Sequence, residues 1–141
     1  MASIFRESVY KHFAPDAIVL VTRPTNAFFP YVGYDQLKVS KNRGEKPPYT
    51  ERDIMKVMSM IKSDSIITKP GYIDLVPGYI QVFADRPGHM RGAACYYFII
   101  TEGKKRIVIF FSGDYSVHNQ GSTLGAALPL NEDLYPDIIA S

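Results

Sequence analysis

Apolar and polar positions follow several distinct rhythms along this chain. Between residues 51 and 62, Ile54, Val57, Met58 and Ile61 fall at i, i+3, i+4 and i+7, one face of a helix. Thr50 stands where an N-cap belongs, and Asp53 follows three residues later, a capping box with Asp in place of the usual Glu. Acids near the start and Lys62 near the end suit the helix dipole. A shorter helix is expected over residues 3 to 13. There Ser3 can cap, Ile4, Phe5, Val9 and Phe13 share a broad face, and Pro15 ends the run.

Elsewhere the rhythm is that of strands. "AIVLVT" at 17 to 22 is short, apolar and β-branched, and reads as a buried strand. "PGYIDLV" is followed at once by "PGYIQVF", which predicts two antiparallel strands, 72 to 76 and 79 to 84, joined at a Pro-Gly corner. A type II Pro-Gly turn splays a tight hairpin, so a corner wider than two residues is expected. "AACYYFIITEGKKRIVIFF", 93 to 111, predicts a hairpin around Glu102-Gly103-Lys104-Lys105. Neither of its runs alternates cleanly. Both faces of the sheet are therefore expected to be covered, by helices or by another copy of the chain.

Residues 24 to 49 break the pattern. Four prolines, two glycines and short apolar runs predict an irregular region, with at most a strand around Tyr31 to Val39. "SKNRGEKPP" reads as an exposed basic loop. Near the other end, "NEDLYPDIIAS" is expected to be a ragged segment that packs Leu134, Tyr135, Ile138 and Ile139 on the body. Together these elements predict one α+β domain over residues 1 to 141: a mostly antiparallel sheet of about five strands with two or three packed helices.

Composition adds limits. With 46% hydrophobic and 21% charged residues, 141 residues can bury a core and are not of the disordered class. The net charge of +2 hides an asymmetry: residues 1 to 106 carry a balance of +6, and residues 107 to 141 a balance of −4. The single cysteine, Cys95, cannot form an internal disulfide and reads as a core residue, which favours a reducing, cytoplasmic setting. No apolar run reaches the ~18 residues of a membrane span, so no membrane partner is expected. The residues before Ala14 lack a signal-peptide core.

Candidate chemistry gathers in "SGDYSVHNQGS", 112 to 122, directly after the most apolar stretch. Ser112, Asp114, Ser116 and His118 supply the residue types of a hydrolase. Same-side neighbours on a strand stand roughly 6.5–7 Å apart, too far to assemble a triad from one strand, and no nucleophile elbow is present. Hairpin geometry adds a second segment. The start of one strand lies beside the end of the other, so "ADRPGHMRG" at 84 to 92 should emerge at the same end of the sheet as the 112–118 loop. Arg86, His89, Arg91, His118, Asn119, Ser122 and Thr123 are then the candidate ligand-binding residues, and arginine with imidazole suits a small anionic or nucleotide-like ligand. Backbone N–H groups near Ser122 and Thr123 could join them if a helical turn starts there.

His12, His89, His118 and Cys95 show no metal-ligand spacing, and no phosphate-binding or cofactor motif is present, so neither metal nor cofactor is expected. Basic clusters at Lys38 to Lys46 and at Lys104 to Arg106 raise nucleic acid as a partner. A pI of about 8.6 and the lack of an RRM, KH or finger signature set that reading below the others. The sequence thus points first to a non-enzymatic binding or regulatory protein, self-associating, with a ligand rim. The alternative is a small hydrolase or lyase using His118 or His89 as general acid/base, with Asp114 and Ser112 as further catalytic candidates.

Overall fold

The computed structural model describes residues 18–119, 121, 123–126 and 134–140. The helix expected at 3 to 13 lies outside them. The fold is α+β, with two α-helices among the described residues and a mostly antiparallel five-stranded sheet. The chain forms two compact units, divided after Ile66.

In the first unit, a short strand β1 (Val21–Thr22) leads into helix α1 (Arg23–Asn42). Helix α2 (Glu51–Met60) and a 3-10 turn (Ser63–Ser65) follow, and a short strand β2 (Ile66–Ile67) falls at the division between the units. The strand expected over 17 to 22 is thus only its last two residues. The helix α1 corrects the irregular reading of 24 to 49, including the strand around Tyr31 to Val39. Its start obeys ordinary rules: the Thr22 side chain accepts from the Thr25 amide, and a proline sits in the first turn. Pro30 lies in the interior, where it removes one helical hydrogen bond and costs about 3 kcal/mol.

Tertiary packing offsets that cost. Phe29, Gly33, Leu37 and Ser40 form one face of α1, and Phe29 clusters with Tyr49, Ile54 and Val57. The Tyr49 hydroxyl reaches the Gly33 carbonyl at 3.2 Å and Gln36 Oε1 at 3.0 Å. Only the residues after Asn42, Arg43 to Pro48, remain as the basic loop. In α2 the capping box is present in both directions: Thr50 N donates to Asp53 Oδ2 (2.7 Å), and Asp53 N donates to Thr50 Oγ1 (3.4 Å).

The second unit is a meander. Strands β3 (Gly71–Val76), β4 (Ile80–Asp85), β5 (Cys95–Glu102) and β6 (Lys105–Phe111) pair antiparallel in chain order. Strand β7 (Ile138–Ala140) then adds to β6 in parallel. The Pro77-Gly78 corner is a type II turn. Tyr79 N donates to Val76 O at 2.9 Å, and Gly78 has the positive φ (+79°) the turn demands. The corner is wider than two residues, since Val76 pairs with Ile80 across a bulge.

Cross-strand register sorts the side chains. One face carries a row of rings, Tyr72, Phe83, Tyr97 and Phe110, at centroid distances of 4.7, 6.1 and 4.4 Å. Cys95, Tyr97, Ile99, Val108 and Phe110 on this face form a core closed by Leu134, which is wholly buried. The other face carries Val82 and Ala84, also buried, with Ile73, Phe98 and Ile109 half-buried. Both faces are therefore covered in part. Of the segment expected to be ragged, the described residues 134–140 include strand β7. Leu134 packs inward, but Tyr135, Ile138 and Ile139 are exposed, which corrects their placement on the body.

Candidate functional site

Sheet topology builds the rim of the second unit. Asp85 at the end of β4 pairs with Cys95 at the start of β5, and Tyr96 pairs with Phe111 at the end of β6. The loops after β4 and after β6 therefore leave from one end, and they lock together. Ser116 N donates to Pro87 O (2.8 Å), Ala126 N to Ser116 O (2.9 Å), and Gly125 N to Asn119 Oδ1 (2.8 Å). Gly88 is buried with φ +73°, and its Cα lies so near the Ser116 carbonyl and the Ala126 amide that a Cβ has no room. Gly125 is pressed equally closely against Val117.

On this framework His89 Nε2 lies 3.6 Å from Asp114 Oδ2, with the imidazole partly exposed and the carboxylate almost fully so. Arg86, Arg91, His118 and Asn119 are exposed, and Thr123 is half-buried. Asn119 spends its carbonyl oxygen on Gly125. Ser122 lies outside the described residues. The serine hydroxyls are turned elsewhere: Ser112 Oγ donates to Gly113 O (3.0 Å) and Ser116 Oγ to His118 O (3.3 Å). The structure thus brings His89 and Asp114 together, but neither serine is hydrogen-bonded to an imidazole.

Beneath the rim lie three side chains with polar tips, Cys95, Tyr97 and Tyr115, of which Cys95 was expected in the core. The Tyr97 hydroxyl is buried and has no hydrogen-bond partner among the described residues. Burial first, then the neighbouring Cys95, Tyr115 and Asp85, push its ionisation far above the usual tyrosine range. The Cys95 thiol is pushed up to about 11, by burial and then by Asp85, and it donates weakly to the Asp85 carbonyl (3.4 Å). Tyr115 is raised chiefly by burial and packs edge-on to Phe110, with centroids 6.1 Å apart. The i, i+2 spacing of Cys95 and Tyr97 placed both on one face. Nothing in the sequence placed Tyr115 over them.

At the opposite end of the sheet, Asp74, Tyr79, Gln81, Ile99 and Thr101 line a shallow groove of about 150 Å³. Small-molecule pockets run to about 300 Å³ and above, so this one admits only a few atoms. Among the described residues, no cluster of three or more His, Cys, Asp or Glu is arranged to hold a metal ion. Among them, too, no helix is long and apolar enough to cross a membrane. No family of known proteins matches the sequence, and no similar curated protein is found.

Proposed function

We propose that this chain is a non-enzymatic binding protein that takes a small anionic ligand at the rim of its sheet. The observation that carries the proposal is the convergence of the 86–91 and 112–126 segments on one another. It gathers Arg86, His89, Arg91 and His118 at one end of the sheet, on loops whose backbones are locked by Gly88 and Gly125. A preorganised loop pair loses little entropy on binding. Guanidinium and imidazole donors match phosphate or carboxylate oxygens.

Native mass spectrometry of the full chain, purified from cells without added ligand, tests this first. A retained mass of a few hundred daltons that is lost in Arg86→Ala or Arg91→Ala supports the proposal. A bare chain that also fails to bind inorganic phosphate, nucleotides or dicarboxylates by calorimetry refutes it. The proposal includes self-association. Ile107, Phe111 and Ile138 are exposed on one face at the β6–β7 edge, and an open strand edge invites pairing. Light scattering at tens of micromolar that finds only monomer refutes that part.

A second reading is favoured by one contact, His89 to Asp114 at 3.6 Å. The distance is that of a charge contact and not of a hydrogen bond, but a carboxylate that closed on the imidazole would make the base half of a hydrolase or lyase site. Turnover of an ester or phosphoester panel that is abolished by His89→Ala and reduced by Asp114→Asn supports an enzyme. Turnover that survives both variants dismisses His89. The same assay with His118→Ala covers the other imidazole.

A further inference from the structure

Helix α1 carries a second feature, in the other compact unit and unrelated to the rim. At 100° per residue, Arg23, Ala27, Tyr31, Tyr34, Lys38 and Lys41 fall within about 80° of arc and run for about 27 Å along the helix. All six are exposed, Tyr31 at 73% and Tyr34 at 41%. No acid falls within the strip. Past the helix end, Arg43 and Lys46 are also exposed, with the acid Glu45 between them, for a net gain of one positive charge. The buried face of the helix (Phe29, Gly33, Ser40) lies on the other side, so this strip is not needed for packing onto α2.

From this we infer that the exposed Tyr31–Lys41 strip of α1, with Arg43 and Lys46, is a binding surface for single-stranded nucleic acid. The chemistry is complementary in both halves. Lysine and arginine in a row track a phosphate backbone, and exposed tyrosine rings offer planes on which unpaired bases stack. Steps of three and four residues set Tyr31, Tyr34, Lys38 and Lys41 in a line, so rings and charges address one strand in succession. An anionic membrane surface is the competing partner for a basic helix, since Phe28, Val32 and Val39 are exposed too. Asp35 argues against it. Its position falls between the Tyr31 strip and the Phe28/Val32/Val39 stripe, so insertion of that stripe would carry a carboxylate toward the acyl boundary.

The test uses the full chain and a fluorescein-labelled single-stranded oligonucleotide of mixed sequence, followed by anisotropy from low to physiological salt. Three double variants are compared: Lys38→Ala/Lys41→Ala, Tyr31→Ala/Tyr34→Ala, and Lys104→Ala/Lys105→Ala at the β5–β6 hairpin tip of the other unit. All substitutions are at exposed positions, and circular dichroism confirms that the helices persist. The helix lysine pair is expected to lower the slope of log K against log salt by about 1.4, the share of two phosphate contacts. The tyrosine pair is expected to weaken binding at least about fivefold per ring at unchanged slope. The hairpin-tip pair should leave binding within about twofold. Failure to bind at low salt overturns the inference. So does a loss confined to the hairpin-tip pair, an equal preference for duplex of the same length, or a preference for vesicles containing anionic lipid.

Discussion

Replacing Gly88 by alanine tests the locked rim most directly. Two independent penalties apply there. Gly88 has φ +73°, and a left-handed backbone costs an L side chain about 1–2 kcal/mol. The added Cβ would also meet three backbone atoms, the Ser116 carbonyl oxygen, the Ala126 amide nitrogen and the Gly125 carbonyl carbon, the last at 2.7 Å. Backbone cannot swing aside as a flexible side chain can. Relief therefore means parting the two loops, at about 1–3 kcal/mol for overpacking, with loss of the Ser116–Pro87 hydrogen bond for about 1 kcal/mol more. The expected destabilisation is about 3–6 kcal/mol. Gly103 supplies the control, because its φ is also positive (+60°) and an added Cβ meets nothing within 4 Å. Gly103→Ala should cost only the conformational share, about 1–2 kcal/mol. Urea unfolding of both variants gives the difference, and amide exchange at Ser116 and Ala126 reports where the rim opens. Equal costs for the two variants, within about 0.5 kcal/mol, would refute the close contact between the loops.

Other expectations are independent of that one. Leu134→Ala should destabilise by about 2–5 kcal/mol in urea unfolding, because Leu134 is fully buried against Tyr97 and Phe110 in the sheet core. Thr50→Ala should cost about 1 kcal/mol by removing the acceptor of the Asp53 amide from the α2 cap. The Cys95 thiol, raised from 9.0 to about 11, holds its proton at pH 8, so iodoacetamide should label it in urea and not in the native protein. Its raised folded-state value also means that its contribution to stability is complete below about pH 9 and is lost between about pH 9 and 11. Alkaline unfolding should therefore begin in that window, shallower in Cys95→Ala, and unfolding that starts at pH 8 would contradict the assignment. His89→Ala should change stability by less than about 1 kcal/mol, since its Asp114 partner is mostly solvated. A larger loss would mark the pair as structural.

Local chemistry made some of this fold readable and hid the rest. The α2 capping box and the two hairpins are written in short-range signals, and they stand where those signals place them. The joint emergence of the two rim loops followed from hairpin geometry alone. Helix α1 was hidden because Pro30 and Gly33 oppose a helix locally, while what stabilises it is distant in sequence: Tyr49, Ile54 and Val57. Its honest markers were Thr22 as cap and Pro24 in the first turn. Strand β7 was hidden for a related reason. Three residues after a proline carry almost no periodicity, and their strand is specified by a partner, with Asp137 N donating to Val108 O and the Asp137 carboxylate accepting from Val108 N, each at 2.8 Å. At the rim, residue types were legible but directions were not. The folded loop turns the serine hydroxyls to carbonyls and spends Asn119 on its own backbone.

The parallel pairing of β7 also bears on how this unit comes together in time. Strands β3 to β6 are sequential hairpins, whose closure spans few residues and is correspondingly fast. Strand β7 returns to the sheet only after the whole rim segment, so its docking closes the longest loop of the unit and forfeits the most chain entropy beforehand. On loop-closure cost the meander is expected to form first and the rim, Leu134 and β7 to be laid over it later, an order that pulse-labelled amide exchange would read directly. Before that layer docks, Leu134 and Tyr115 would not yet cover the ring row from Phe83 to Phe110. A nascent or partly opened chain would then offer strangers the same aromatic strip that the mature fold conceals under Leu134 and Tyr115.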